Sequence, residues 1–167
     1  MAPQEFEKLI DKDKYQVFVL ASRASFPLSF AIHPWLVINK KGEISRYEIR
    51  HYLNTDKSYG YLHINAEPPF LGLPAVYPFN RFFQKTRLLG YIEGDGNSKA
   101  KDLAERIEGS RENYPYLKKY SFLGKNCATY VHWALNTFPE LKLKLPWNCF
   151  GKNYKDTGEK HRRCLCK

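Results

Sequence analysis

Several things are scarce or missing in this chain, and each narrows what it does. No window approaches the about 20 consecutive apolar residues that a membrane-spanning helix needs. The start, Met1 to Gln16, has no positively charged stretch followed by an apolar one. The expectation is a soluble, cytoplasmic protein. Cysteine is sparse and uneven: Cys127, Cys149, Cys164 and Cys166, with two crowded near the end, do not resemble a disulfide framework and read as reduced thiols. No Gly-rich phosphate loop, RNA-binding aromatic signature or recognition helix is visible, so nucleic acid is not an expected partner. His161, Cys164 and Cys166 are metal-ligand residue types, but Cys-x-Cys is tighter than the usual loop and no second half-site accompanies it. Neither a metal nor another cofactor is expected, and adjacent cysteines in a basic tail are alternatively acceptors of fatty acyl chains.

Negative charge is also in short supply. Lys and Arg number 27 against 17 Asp and Glu, a formal charge of +10 with a pI near 9.4. That excess favours contact with an anionic surface or an acidic substrate, although it describes encounter and solubility more than chemistry. At 167 residues, with 43% apolar and 16% aromatic residues, the chain has enough apolar content for one core and too little length for two. One domain over 1–151 and a basic tail over 152–167 are expected.

Along the chain, a short helical lead-in at Gln4–Ile10 precedes a strand at Tyr15–Ser22, then apolar runs at Ser29–Ile38 and Ile44–Tyr52 that flank a turn containing Gly42. These two runs predict a hairpin. The Gly-, Pro- and Tyr-rich stretch from Lys57 to Asn80 reads as a long excursion holding one strand at Tyr61–Ile64. Its aromatics, Tyr59, Tyr61, Phe70, Tyr77 and Phe79, either wall a cleft or fill the core. A strand at Arg87–Gly94 follows, then a helix capped by Asn97 or Ser98 and closed by Gly109. A late edge strand is expected in the alternating "LKLKLPWNCF", Leu141–Phe150. The class is α+β with a mostly antiparallel sheet.

The stretch "GKNCATYV", Gly124–Val131, carries the chemistry. Asn126 reads as an N-cap and Cys127 as the first residue of a helix whose apolar spacing runs on through Val131, Ala134, Leu135 and Phe138. A thiol there faces the positive end of the helix dipole, which favours the thiolate. Taken alone it is more often a packing residue. A nucleophilic cysteine needs a base, and the base needs a third group to hold its ring.

Among the histidines, His132 stands five residues on, roughly 140° around the helix, and points elsewhere. His63 stays unassigned. His33 lies on the first hairpin strand. With Lys40 and Lys41 as the loop, His33 pairs directly with Glu48, whose carboxylate then orients the imidazole. With Gly42 as a bulge, the pairing shifts by one, His51 joins the face of His33 and Glu48 turns away. The two registers leave Glu48 and His51 as alternatives for the third residue.

"HPWLVINKKGEISRYEI" followed far downstream by "NCATYV" resembles the circularly permuted branch of the NlpC-type papain-like superfamily. Asn126, Cys127, Tyr130 and Val131 match the motif style of the lecithin retinol acyltransferase-like branch. Arg46, Tyr47, Glu48 and Ile49 are similar to the second strand of permuted bacterial relatives. Most of the chain, through "HPW", "RYE", "PPF", "LLGYIEGD" and "LPWNCFGKNY", looks like a little-characterised family within that branch. The resemblance implies a permuted papain-like fold with Cys127 as nucleophile, His33 as base and Glu48 as its orienting partner. It departs from acyltransferase-type relatives at Pro34, where those have an aromatic.

The expected function is cysteine hydrolase chemistry of amidase or thiol protease type, through an acyl-thioester. Alternatives are a lipid acyltransferase or phospholipase-like enzyme, and a basic binding module without turnover. Expected substrates are a peptide, a peptidoglycan-like molecule or a lipid acyl group. Trp35, Asn126 and Tyr61 are the expected substrate-binding residues.

Overall fold

The computed structural model describes residues 3–24, 28, 30–77 and 80–154. The tail cluster of His161, Cys164 and Cys166 lies outside them, as does Phe79. The chain begins with a short helix, α1 (Pro3–Glu7), and the hairpin follows as strands β1 (Tyr15–Arg23), β2 (Ile32–Lys40) and β3 (Glu43–Ile49). Next come β4 (Leu62–Ile64), β5 (Pro74–Tyr77), β6 (Asn80–Phe83) and β7 (Arg87–Gly94). Helices α2 (Lys99–Glu108), α3 (Ser110–Asn113) and α4 (Cys127–Leu135) close the described chain. The architecture is α+β. Five antiparallel strands lie in the order β4-β3-β2-β1-β7, and β5 and β6 form a separate hairpin.

Strand alternation builds two cores on this sheet. Val17, Val19, Leu36, Ile38, Tyr47 and Ile49 project toward α2 and α4, where they meet Leu103, Ile107, Tyr130 and Val131. Their intervening neighbours Phe18, Leu20, Trp35 and Val37 project to the opposite face and pack with Phe6 of α1 and Phe70 of the excursion. Covering both faces explains why β1 and β2 read as nearly continuous apolar runs. Ser98 caps α2 by accepting from the Lys101 amide, and Gly109 terminates the helix.

The hairpin turn differs from expectation. Lys40 pairs with Glu43, so the two-residue loop is Lys41–Gly42, with φ of 54° and 96°. Both residues take the left-handed region that such a hairpin loop requires. Asn39 Oδ1 accepts the Gly42 amide at 2.7 Å, which selects this loop over Lys40–Lys41. The pairing therefore moves by two residues from the first expected register, which preserves the face of every side chain. The bulged register is excluded, because Tyr47 lies in the helix-side core, away from Glu48.

Three other expectations are corrected. The excursion contains the β5–β6 hairpin, whose Pro- and Asn-containing sequence carries little strand signal. No strand forms over Leu141–Phe150. Leu141, Leu143 and Leu145 do pack against the core in alternation, but without a ladder, and Pro146 has no amide to donate to one. The expected boundary at residue 151 also falls short of the packed body: Lys152 Nζ donates to the carbonyls of Leu145 and Pro146, and the Tyr154 ring meets Tyr116 edge-on.

Candidate functional site

Cys127 opens α4, and the reason is local. Asn126 is extended, and its Oδ1 accepts from the amides of Ala128 at 3.0 Å and Thr129 at 3.3 Å, while Thr129 Oγ1 accepts the Asn126 amide. This capping box satisfies the amides beyond Cys127. The Cys127 amide itself has no acceptor among the described residues. A free N–H at the positive end of a helix is a ready donor to an oxyanion.

His33 lies on β2 beyond the last pair that β2 makes with β3, Leu36–Tyr47. It still pairs with Ser22 of β1. Pro34, which has no N–H, is among the residues where β2 has left β3. His33 from one strand and Ile49 and Arg50 from the other then line a single cleft together with Cys127. By alternation His33 belongs to the face of Trp35 and Glu48, away from α4, and this parting of the strands is what lets its ring meet both sides.

The imidazole connects two partners. Its Nε2 lies 3.0 Å from Glu48 Oε2, and Cys127 lines the same cleft, near enough for its side chain to raise the pKa of the ring. Burial alone would favour the neutral ring, but Cys127 and then Glu48 outweigh it and raise its pKa to about 9. An ionised carboxylate only accepts, so Nε2 carries the proton and Nδ1 is the nitrogen left for Cys127.

Glu48 is fully buried, which would raise its pKa. The His33 hydrogen bond and the charges of Arg46, His33 and Arg50 reverse this and hold the carboxyl well below the usual range. Arg50 grips Oε1 with Nη2 at 2.7 Å and Nε at 2.9 Å, and Arg46 Nη2 donates to Oε2 at 3.0 Å. Arg46 is itself fully buried, stacked 4.3 Å from the Trp35 ring and donating to the carbonyls of Pro68 and Leu71. These two arginines hold Glu48 in place, a role that the sequence analysis does not assign to them. The signal was present: in "RYEIR" both stand two residues from Glu48, so alternation puts all three on one face.

The expected substrate contacts resolve differently. Trp35 is fully buried and its Nε1 donates to the Pro69 carbonyl, so it supports Arg46 and does not line the cleft. Tyr61 packs against the helix-side core and reaches the cleft only through Tyr120, whose ring lies 5.4 Å away. Asn126 lines the cleft, but its side chain is fully engaged: beyond the cap, its Nδ2 donates to Phe122 O at 2.9 Å and Phe150 O at 3.0 Å. Its role is structural.

The remaining candidates take lesser places. Phe70 is core on the face away from α4, and Tyr59 packs against the helix-side core. The Tyr77 side chain is outside what is described. His51 is exposed at the cleft and edge-on to Tyr52, not bonded to His33. His63 pairs with Glu48 across β3–β4 but donates to the Tyr52 carbonyl. His132 is remote, half-buried near Lys152. Cys149 is a buried thiol pushed up to about 12 by burial, and so is unreactive.

The cleft encloses about 760 Å³ and is walled by Leu28, Phe30, Ile32, Leu73, Phe122 and Phe150 among others. Its charged wall residue, Arg50, is already taken by Glu48, Tyr52 and Glu67. Among the described residues no group of three or more metal-ligating side chains occurs, and no helix is long and apolar enough to cross a membrane.

Fold and site together define an α+β protein with a cysteine, a histidine and a glutamate converging at an apolar cleft. Residues 14–154 match the family model described as "Protein of unknown function (DUF3750)", and the chain belongs to that family. No curated protein and no solved structure matches it.

Proposed function

We propose that the protein is a cysteine-dependent hydrolase or acyltransferase on a permuted papain-like scaffold, acting on an ester or amide through an acyl-thioester. The observation that carries this reading is His33 set between the Cys127 side chain and a carboxylate that fixes its tautomer. His33 Nδ1 takes the Cys127 proton, and Sγ attacks the carbonyl carbon. The oxyanion accepts from the Cys127 amide, and the leaving group departs with the proton from Nδ1. Water or another acceptor, deprotonated by His33, then breaks the thioester. Free thiols at Cys127 and Cys149 suit a reducing, cytoplasmic setting.

The apolar walls favour a lipid acyl group over a peptide or peptidoglycan stem, because the cleft offers no uncommitted charged side chain to a polar chain. Incubation with p-nitrophenyl octanoate should leave an octanoyl adduct on the Cys127 peptide. Iodoacetamide at mildly acidic pH should label Cys127 and spare Cys149, and His33→Ala should slow that labelling by about tenfold or more. Equal labelling in His33→Ala, with no acyl adduct on the wild type, would refute the reading.

A further inference from the structure

Two arginines outside the cysteine site remain unexplained. Arg23 ends β1 and Arg87 begins β7, and the pairing of Ala21 with Arg87 places them at the same end of adjacent strands. With Phe30, Ile32 and Asn148 they line a second hollow of about 350 Å³. Neither guanidinium has a hydrogen-bond or ion-pair partner among the described residues. This contrasts with Arg46 and Arg50, which are both held by Glu48. Phe30 and Ile32 also line the apolar cleft, so the two hollows share a wall.

Three turns meet around that wall, and polar contacts hold them in place. Asn126 bridges the carbonyls of Phe122 and Phe150, Asn148 Nδ2 donates to the Phe30 carbonyl, and the Phe30 and Phe150 rings meet edge-on at 5.8 Å. Phe122 and Leu123 form the tip of a tight turn closed between Ser121 and Gly124. These anchored turns hold Phe30, Phe122, Leu123 and Trp147 in solvent at 64%, 62%, 86% and 82% exposure. Phe30, Phe122 and Leu123 all line the apolar cleft, and large apolar side chains exposed together in this way mark an interaction surface.

We propose that Arg23 and Arg87 form the phosphate subsite for an anionic lipid, taken from a membrane surface on which the Phe30, Phe122 and Leu123 rim docks. The lipid's acyl chain enters the apolar cleft. The bilayer is chosen over a protein partner because the chain carries a charge of +10, which an anionic leaflet complements. Placing the chain beside Cys127 rests on the proposed reaction; the phosphate subsite and the docking rim do not.

The test is co-sedimentation of the full chain with phosphatidylcholine vesicles, with and without phosphatidylglycerol. Expected are clear partition onto the anionic vesicles and a loss of about tenfold or more in Arg23→Gln/Arg87→Gln. Leu123→Asp should lose a comparable amount, since an exposed position tolerates the change while a docking rim does not. Lys8→Gln/Lys12→Gln removes the same charge near the opposite end of β1 and should change partition less than about twofold, well below the effect of the arginine pair. Equal loss in the lysine control means diffuse attraction and overturns the subsite. Binding of soluble glycerol phosphate without vesicle partition overturns the membrane source, and self-association abolished by Leu123→Asp with no partition reassigns the rim to a second copy. Vesicle binding without acylation of Cys127 sinks only the reaction; acylation without vesicle binding sinks only this proposal.

Discussion

His33 Nε2 and Glu48 Oε2 stand 3.0 Å apart, and the carboxylate that holds the imidazole is itself held by two arginines. A carboxylate accepts all of these donors, whereas the Glu48→Gln amide has one oxygen and adds donors of its own. The substitution also leaves Arg46, fully buried, without its counter-charge. The expected result is a loss of about 3–5 kcal/mol in stability. The His33 titration should fall below about 9, since burial then acts against Cys127 alone. Urea unfolding and an NMR titration of the imidazole read both effects, and an unchanged His33 titration would remove Glu48 from its assigned role.

The same pair sets a pH window. His33 is raised from 6.5 to about 9 in the folded state, so folding favours its protonated form. Its stabilisation is fully present below about 6.5 and disappears as pH rises through about 9. Glu48 is depressed below its ordinary 4.5, so its contribution is present above that value and lost on acidification. Unfolding free energies of wild type and His33→Ala should therefore converge on the alkaline side, approaching each other across this interval. Parallel curves over that range would contradict the assignment.

Asn126 serves α4 and two turns at once. Asn126→Ala removes the cap, costing about 1 kcal/mol, and two hydrogen bonds to loop carbonyls, each about 1 kcal/mol. A loss of about 2–3 kcal/mol is expected, with faster amide exchange around Phe122 and Phe150. Asn126→Asp keeps the acceptor that caps the helix but loses the Nδ2 donors, and should fall between the two. Gly151 depends on this arrangement as well: its φ is 89°, and a Cβ there would lie 2.7 Å from Asn126 Nδ2.

The Lys41–Gly42 loop offers a stabilising change. Lys41 has a φ of 54°, a conformation asparagine adopts more readily. Lys41→Asn should raise stability by about 0.5 kcal/mol, while Gly42→Ala should lower it by about 1 kcal/mol or more because of its φ of 96°. Thermal melts of the two variants should move in opposite directions, and a destabilised Lys41→Asn would count against this turn.

Much of this protein is written in local pattern. The capped helix with Cys127 at its first position, α2 between Ser98 and Gly109, and the strands at Tyr15, Leu62 and Arg87 follow from cap chemistry and periodicity, which depend only on near neighbours. Even the shared face of His33 and Glu48 came through a register misplaced by two residues, because side-chain direction repeats every two.

What local pattern could not decide is whatever depends on distant segments arriving together. "LKLKL" alternates as a strand does, yet no neighbouring edge receives it. Trp35 and Tyr61 look like cleft residues but are covered by Arg46 and Tyr120. The Asn126 amide is claimed by carbonyls from two separate turns. The sequence by itself determined the cap, the strand face and the thiol from which the proposed site is built, because residue type and short-range spacing define them. Only the tertiary structure decided that β2 and β3 part beyond Leu36–Tyr47 and that His33 and Cys127 line one cleft, because the meeting of strand ends, helix tip and turns is a long-range packing outcome with no local signature.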